Sequence, residues 1–399
     1  MHYVPVQVRV LLVLLLIHPS FAVHLRSLAL PGTHIMVHRT LASRRRPRRD
    51  LSVVSEDPLY RQSLHRCYLL FCSFVASVFG DIDIGKSARH TDQMLERYLQ
   101  KMYDSRVARY LGVHTVLAVQ QKHGFRLRLN RAWSALKVWR MQEPCKTRYP
   151  IPQNVLFLYI AHCLSCGMNA SGLERLRWFI CGVVFMTGFA GLMRPNEMAR
   201  FLRCDVALPC ERAETHTKAR ALICCYDAKN RRVLGRTQII IVDCAQATAW
   251  LTWLLRDFPR DARVYAYAQN NLAKFFKRIG RRFSCDFLTI ASIRTGAATT
   301  RFQRHRNIGR LMFEGRWGDE RTLRHYLQES LSMYVHAQLT AQTHERIATV
   351  SQLWPCLALP PALSLRSLVG DEALDRYFRT AVTKGRRVLA AREHDGHQS

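Results

Sequence analysis

Ala291-Ser292-Ile293-Arg294-Thr295-Gly296-Ala297-Ala298-Thr299 sets one arginine in a run of mostly small residues, and this stretch decides how the chain folds. Its composition predicts a helix over residues 289–305. Upstream, residues 245–258 and 271–283 carry helical patterns of their own. Before those, two β-rich runs, 219–226 and 236–242, flank a short polar loop at 227–235, which predicts a hairpin. Downstream, residues 321–328 and 334–349 are expected to be helical.

A long apolar helix is predicted over 172–188, and Cys145–Asn154 (CKTRYPIPQN), with two prolines and two basic residues, reads as a linker. Between Pro58 and Pro144 apolar residues recur at three- and four-residue spacing over 64–78, 91–103, 113–123 and 129–142, which predicts a helical bundle. Residues 354–361 break the pattern, and a last helix starts near Asp371. The chain shows no internal repeat. The expected fold is mainly α with a small antiparallel β-hairpin or sheet, an α+β chain. The expected units are a basic leader (1–54), a helical bundle (55–148), a larger domain (149–350) and a C-terminal tail with a helix (351–399).

Breaking a DNA strand with a side-chain nucleophile calls for cations that hold the non-bridging phosphate oxygens as charge develops on them. A proton must also reach the leaving oxygen. Arginine suits the clamp, because its planar fork grips two oxygens and keeps its charge. Thr187-Gly188-Phe189-Ala190-Gly191-Leu192-Met193-Arg194-Pro195-Asn196-Glu197-Met198 offers one such part, although an Arg–Glu pair at helical spacing is also an ordinary surface pair. The stretch around Arg294 offers a second. Gly315-Arg316-Trp317 and then Thr322-Leu323-Arg324-His325-Tyr326 follow it.

Together these boxes resemble the signatures of the tyrosine recombinase, or phage integrase, family. The first box resembles that family's Leu-x-Arg box with Glu three residues on. The Arg294 box is similar to its H-x-L-R-H-x-x-A-T helix, and the last box to its "G-H/W … T … Y" ending. Trp317 to Tyr326 is nine residues, Arg294 to Tyr326 thirty-two and Arg194 to Arg294 one hundred, separations that suit the family. The resemblance implies a helical core-binding domain followed by a catalytic domain. It implies that Tyr326 is the nucleophile, that Arg194 and Arg294 clamp the phosphate, and that Glu197 supports Arg194. Lys229, in the hairpin loop, would protonate the leaving oxygen, and Trp317 would pack against the site and bond through its indole N–H. It further implies site-specific DNA integration or recombination through a 3′-phosphotyrosyl link, with no metal and no other cofactor. The implied partners are double-stranded DNA and further copies of the chain, as dimers or tetramers. Tyr334 is the competing tyrosine and fits the box worse.

One position departs from the pattern. Where the family usually carries His three residues before its second arginine, this chain carries Ala291, which has no side-chain donor or acceptor. Losing one preorganised donor typically costs ~10²–10³ in rate. Thr289 and Ser292 are the neighbours able to compensate. A catalytically impaired DNA-binding relative is therefore the second expectation, and a nicking enzyme of the type IB topoisomerase kind shares the same chemistry.

Sixty Lys and Arg against 29 Asp and Glu give a net charge of +31, which favours a polyanionic partner; charge alone does not separate DNA, RNA and an anionic membrane. Basic and aromatic residues interleave at Arg126, Arg128, Arg131, Trp133, Lys137, Trp139 and Arg140, a candidate DNA-facing surface or a solvated face beside a buried aromatic stripe. The 13 cysteines follow no zinc or disulfide frame and read as free thiols, with no stable membrane partner expected. The apolar run 10–17 and Ser20-Phe21-Ala22 resemble a secretory signal too short to span a bilayer. Arg44–Arg49 (RRRPRR) fits nuclear import or a phosphate-binding arm. Nucleus, organelle and secretory pathway stay open as destinations, with the nucleus preferred.

Overall fold

The structure, a computed structural model, describes residues 58–80, 83–124, 128–143, 148–211, 220–226, 228, 234–235, 237–357 and 359–397. The leader, Arg126 and Lys229 lie outside the described residues. Helices dominate, with one small antiparallel sheet, so the chain has an α+β fold.

The first helices are α1 (Pro58–Phe79), α2 (Ala88–Asp104), α3 (Arg109–His123) and α4 (Asn130–Gln142). They form a bundle in which α1 packs on α3 and α2 on α4. Its core gathers Phe71, Leu95, Leu99, Val116, Val119, Leu136 and Trp139. A buried carboxylate fixes the α2–α4 pairing. Leu129, at the N-cap of α4, has no side-chain oxygen with which to cap the helix. Asp92 of α2 does the capping from outside, accepting the backbone N–H groups of Arg131 and Ala132, both at 2.9 Å. A carboxylate there satisfies orphan donors and meets the positive end of the helix dipole.

A second core lies in α5 (Gln153–Asn169), α6 (Gly172–Ala190), α8 (Ala245–Leu255) and α9 (Gln269–Arg282). Helix α6 is buried on nearly every side from Leu176 to Ala190, which matches its unbroken apolar sequence. A short helix, α7 (Pro195–Arg200), follows it. The sheet runs β1 (Val206–Ala207), β2 (Ala221–Cys225), β3 (Gln238–Val242) in that order. Ala221 pairs with Val242 and Ile223 with Ile240, and these four side chains face the core. The expected hairpin is thus present. The two-residue β1 is too short to leave a periodic signal.

Helix α10 (Ala291–His305) carries the deciding stretch, and α11 (Ile308–Gly315), α12 (Glu320–Arg324), α13 (Glu329–Ala337) and α14 (Ala341–Leu357) follow. Three expectations change here. Helix α12 ends at Arg324, so Tyr326 sits in the turn after it rather than on a helix. The helix expected over 334–349 is two helices, because Thr340 interrupts it and its hydroxyl accepts the N–H of Thr343 at the start of α14. Pro355 lies inside α14 instead of breaking the chain before it.

Helices α15 (Leu365–Val369) and α16 (Asp371–His397) complete the fold. Leu374, Tyr377, Phe378 and Ala381 of α16 belong to the same core as α6. Near its end, Arg392 forms a bidentate pair with Asp205, at 2.6 and 2.9 Å. The cysteines described are free thiols, and Cys67, Cys163, Cys181 and Cys285 are buried. Among the described residues no helix is long and apolar enough to cross a membrane.

Helix α10 passes so close to residue 151 that a Cβ at Gly296 would overlap the Ile151 carbonyl oxygen. The same contact includes a hydrogen bond from Ile151 N–H to Ser292 O, 3.2 Å. Gly296→Ala is expected to lower stability by roughly 1–3 kcal/mol, the usual cost of forcing extra volume into a packed site. Urea denaturation gives the midpoint shift; an unchanged midpoint would show that the contact is slack.

Candidate active site

Small residues let α10 come close to its neighbours. Ala297 and Ala298 pack with Leu192, Leu311, Trp317 and Leu323 in a third, local core, against which Tyr326 rests half-buried. Arg294, one turn earlier on α10, is 2% exposed. One of its terminal nitrogens donates to Leu192 O, and the other to Gly315 O at 2.6 Å. Leu192 presents that carbonyl from a left-handed backbone conformation, φ 51°, in the turn between α6 and Arg194. The Arg294 guanidinium lies over the Trp317 ring at 4.2 Å and 5.7 Å from the Tyr326 ring. The two rings meet edge to face at 5.3 Å. Gly315 makes room for this stack, since a Cβ there would overlap Trp317.

The second half of the site centres on Glu197 of α7. Its Oε1 accepts Arg194 Nη1 at 2.7 Å, and its Oε2 accepts the Arg194 backbone N–H at 2.8 Å. Arg316, at the C-terminus of α11, donates its two terminal nitrogens to the same two oxygens, at 3.1 and 2.8 Å. Burial alone would raise the Glu197 carboxyl, but Arg316 first and then Arg194 outweigh it and hold it at about 2. Burial, then the like charges of Arg194 and Arg316, push Arg294 down to about 9, opposed by Glu197 and Tyr326. Two guanidinium groups therefore bond to one carboxylate, and the Arg294 guanidinium lies close enough to feel all three charges. The Arg294 Nε is buried and makes no hydrogen bond among the described residues.

Arg194, Glu197, Arg294, Trp317 and Tyr326 are thus brought together, whereas Lys229 falls outside the described residues. Ala291 opens α10 and contributes only its backbone carbonyl, which accepts from Thr295. Ser292 does not stand in for a missing histidine: its hydroxyl accepts the Thr289 N–H at 3.1 Å and it is 1% exposed. Two residues of the site carry no role in the sequence pattern. Arg316 was hidden inside its own box. Arg301 lies seven residues after Arg294, so helical spacing puts it on the same face of α10. It donates to Ala190 O and to Glu314 at 2.7 Å, bracing the turn that leads to Arg194. Among the described residues no three metal-ligating side chains come together.

On the bundle, Arg128, Lys137 and Arg140 are exposed. Arg131 is already paired with Glu96 at 3.2 Å. Trp139 belongs to the core at 3% exposure, and its N–H donates to Glu143, whereas Trp133 is 37% exposed. The basic–aromatic stripe is therefore part surface and part core.

Because the folded Glu197 carboxyl sits at about 2, below its ordinary value of 4.5, its ionisation stabilises the fold above pH ~4.5. That contribution is lost as pH falls through about 2. Glu197→Gln is expected to be less stable than the parent at pH 7, by roughly 3 kcal/mol for a broken buried pair. The difference should shrink as the pH is lowered toward that of the folded carboxyl, and chemical denaturation at neutral and acid pH measures it; a gap independent of pH would count against a charged Glu197.

No protein-family model matches the chain, and no curated protein matches it. Among solved structures the chain is similar to XerA recombinase, with a TM-score of 0.35 and 13% identity. That similarity covers 71% of this chain and 92% of the other.

Proposed function

We propose that this chain is a DNA strand transferase of the tyrosine recombinase kind. The observation that carries this reading is the convergence of Arg194, Arg294 and Arg316 around Glu197, beside the Trp317–Tyr326 pair. A scissile phosphodiester supplies the missing negative charge. Arg194, with the most exposed side chain of the three at 15%, meets a non-bridging oxygen, and buried Arg294 adds positive charge behind it. The Tyr326 phenolic oxygen attacks phosphorus, and the bond from phosphorus to the 5′ oxygen breaks. The product is a 3′-phosphotyrosyl link and a free 5′ hydroxyl. The phenol gives up its proton to solvent water, since Ala291 offers no side-chain base, and Lys229 delivers one to the departing oxygen. The link keeps the energy of the broken bond, so a second 5′ hydroxyl can reverse the step onto a new strand. Double-stranded DNA is the substrate, paired copies of the chain assemble on it, and the nucleus is the place of action.

A duplex nicked close to the cleavage point traps such an intermediate. Incubation is expected to give a detergent-stable protein–DNA adduct that is absent in Tyr326→Phe and kept in Tyr334→Phe. An adduct indifferent to Tyr326→Phe would overturn the assignment. The second reading is a DNA-binding relative without cleavage, favoured by Ala291 and by the burial of Ser292, which is 1% exposed. It expects no adduct from the parent chain and a gain in Ala291→His.

The exposed bundle cations would track the phosphate backbone. Lys137→Ala and Arg140→Ala are each expected to weaken duplex binding across unrelated sequences and to reduce the salt slope by about 0.9 per lost contact. Arg131→Ala should do less, because that guanidinium is shared with Glu96. Fluorescence anisotropy over a salt series measures all three; equal losses would remove Glu96 from the account.

A further inference from the structure

Arg316 stands where its backbone does not favour it. Its φ is 57°, a left-handed conformation that asparagine and glycine adopt far more easily than a long side chain. It caps the C-terminus of α11, a position where glycine is the common residue. Yet its side chain is 6% exposed and places both terminal nitrogens on Glu197. A strained backbone conformation at a charged cluster points to a role for the side chain it carries.

The geometry of Glu197 shows what that role is. A carboxylate has two oxygens and about four acceptor directions. Arg316 takes two of them, and the Arg194 backbone N–H takes a third. Only one acceptor direction is left for the Arg194 side chain, which meets Glu197 through Nη1 alone. Without Arg316 the Arg194 fork would be free to close on Glu197 with both terminal nitrogens, the preferred geometry of an isolated Arg–carboxylate pair. That closed pair would be neutral and turned away from a ligand.

We propose that Arg316 is a positioning residue that saturates Glu197 and so keeps the Arg194 fork open toward the phosphate. In doing so it provides a third cation in a site where Ala291 provides no polar group. The role is proposed for the anion site described above and rests on that reading. Arg316 does not itself touch the substrate; it acts through Glu197 on Arg194.

Among the described residues, further charged groups lie near Glu197. Arg294 faces it from α10. On its other side a small cleft includes Arg200, Tyr226, Asp205 and Arg392, the last two paired with each other. Helix α6 meets α7 through Gly188 against Met198. Helix α9, also against α7, carries Lys274, Lys277, Arg278, Arg281 and Arg282 on its exposed or half-exposed face. Losing Arg316 therefore removes the first-ranked of the attractive charges that keep buried Glu197 ionised.

The test uses the full chain with Arg316→Gly and Arg316→Lys. Glycine relieves the left-handed backbone while deleting the guanidinium; because the variant also breaks a buried pair, its urea midpoint is measured first to show that it is folded, and lysine keeps the charge without the fork. Carbon-13 carboxyl NMR, with Glu197→Gln to identify the signal, follows Glu197 with no need for activity. The parent resonance should stay unchanged from neutral pH until the acid range near about 2 is approached. In Arg316→Gly it should titrate at clearly higher pH, and Arg316→Lys should restore the parent behaviour in large part. On the nicked duplex, adduct formation should fall roughly 10²-fold in Arg316→Gly, the scale of a misplaced catalytic group. That loss should lessen as pH is lowered through the new Glu197 titration, because a protonated Glu197 no longer holds the Arg194 fork closed.

A Glu197 resonance that titrates identically in the parent and Arg316→Gly would overturn the proposal, as would an adduct rate unchanged by Arg316→Gly. A parent that forms no adduct, together with a shifted Glu197 titration in the variant, would remove the recombinase reading and leave the Arg316–Glu197–Arg194 linkage standing.

Discussion

Three cations and one carboxylate, packed where water has little access, set the terms for the rest of this molecule. Bringing like charges together in a low-dielectric interior is costly, and a fold tolerates it only where packing over-determines the geometry. Here the geometry is fixed from several directions. The turn after α6 delivers Arg194 and the Leu192 carbonyl, α10 delivers Arg294, and the end of α11 delivers Arg316 and the Gly315 carbonyl. Arg294 and Arg316 are each held by groups belonging to other elements. None of these elements can shift without disturbing a buried charge. The local core of Ala297, Ala298, Leu311, Trp317 and Leu323 exists in the form it does because it must hold α10 and α11 together at that point.

Part of this was legible in the sequence for one physical reason: residues joined by a single turn or short helix keep a fixed spacing. Arg194 and Glu197 lie one helical turn apart, and Trp317 and Tyr326 are linked by one short helix. Their spacing survives in one dimension. The small residues of 291–299 likewise announced a helix, and the apolar 172–188 stretch became the buried α6. The β-rich runs around 227–235 became β2 and β3.

What stayed hidden depends on contacts between distant positions or on backbone torsion. Arg316 is one cation among sixty until its φ and its reach to Glu197 are known. Ser292 is polar and well placed in sequence, but its hydroxyl is taken by the Thr289 N–H. Trp139 alternates with basic residues as a DNA-facing ring would, yet the α2–α4 contact buries it. Tyr326 carries a helical neighbourhood in sequence, but α12 ends two residues earlier and leaves it in a turn. The last helix reads as an appendage in one dimension, and long-range packing of Tyr377 and Phe378 makes it part of the main core.

The contact between α10 and Ile151 links two levels of the structure. Residues 148–152 lead out of the bundle, and at Ile151 the chain is hydrogen-bonded to Ser292 and pressed against Gly296, the two residues that bracket Arg294 on either side. A backbone-to-backbone seam of this kind has no soft side chain to absorb displacement. A displacement of residue 151 would therefore pass directly to the helix that carries the guanidinium stacked on Trp317.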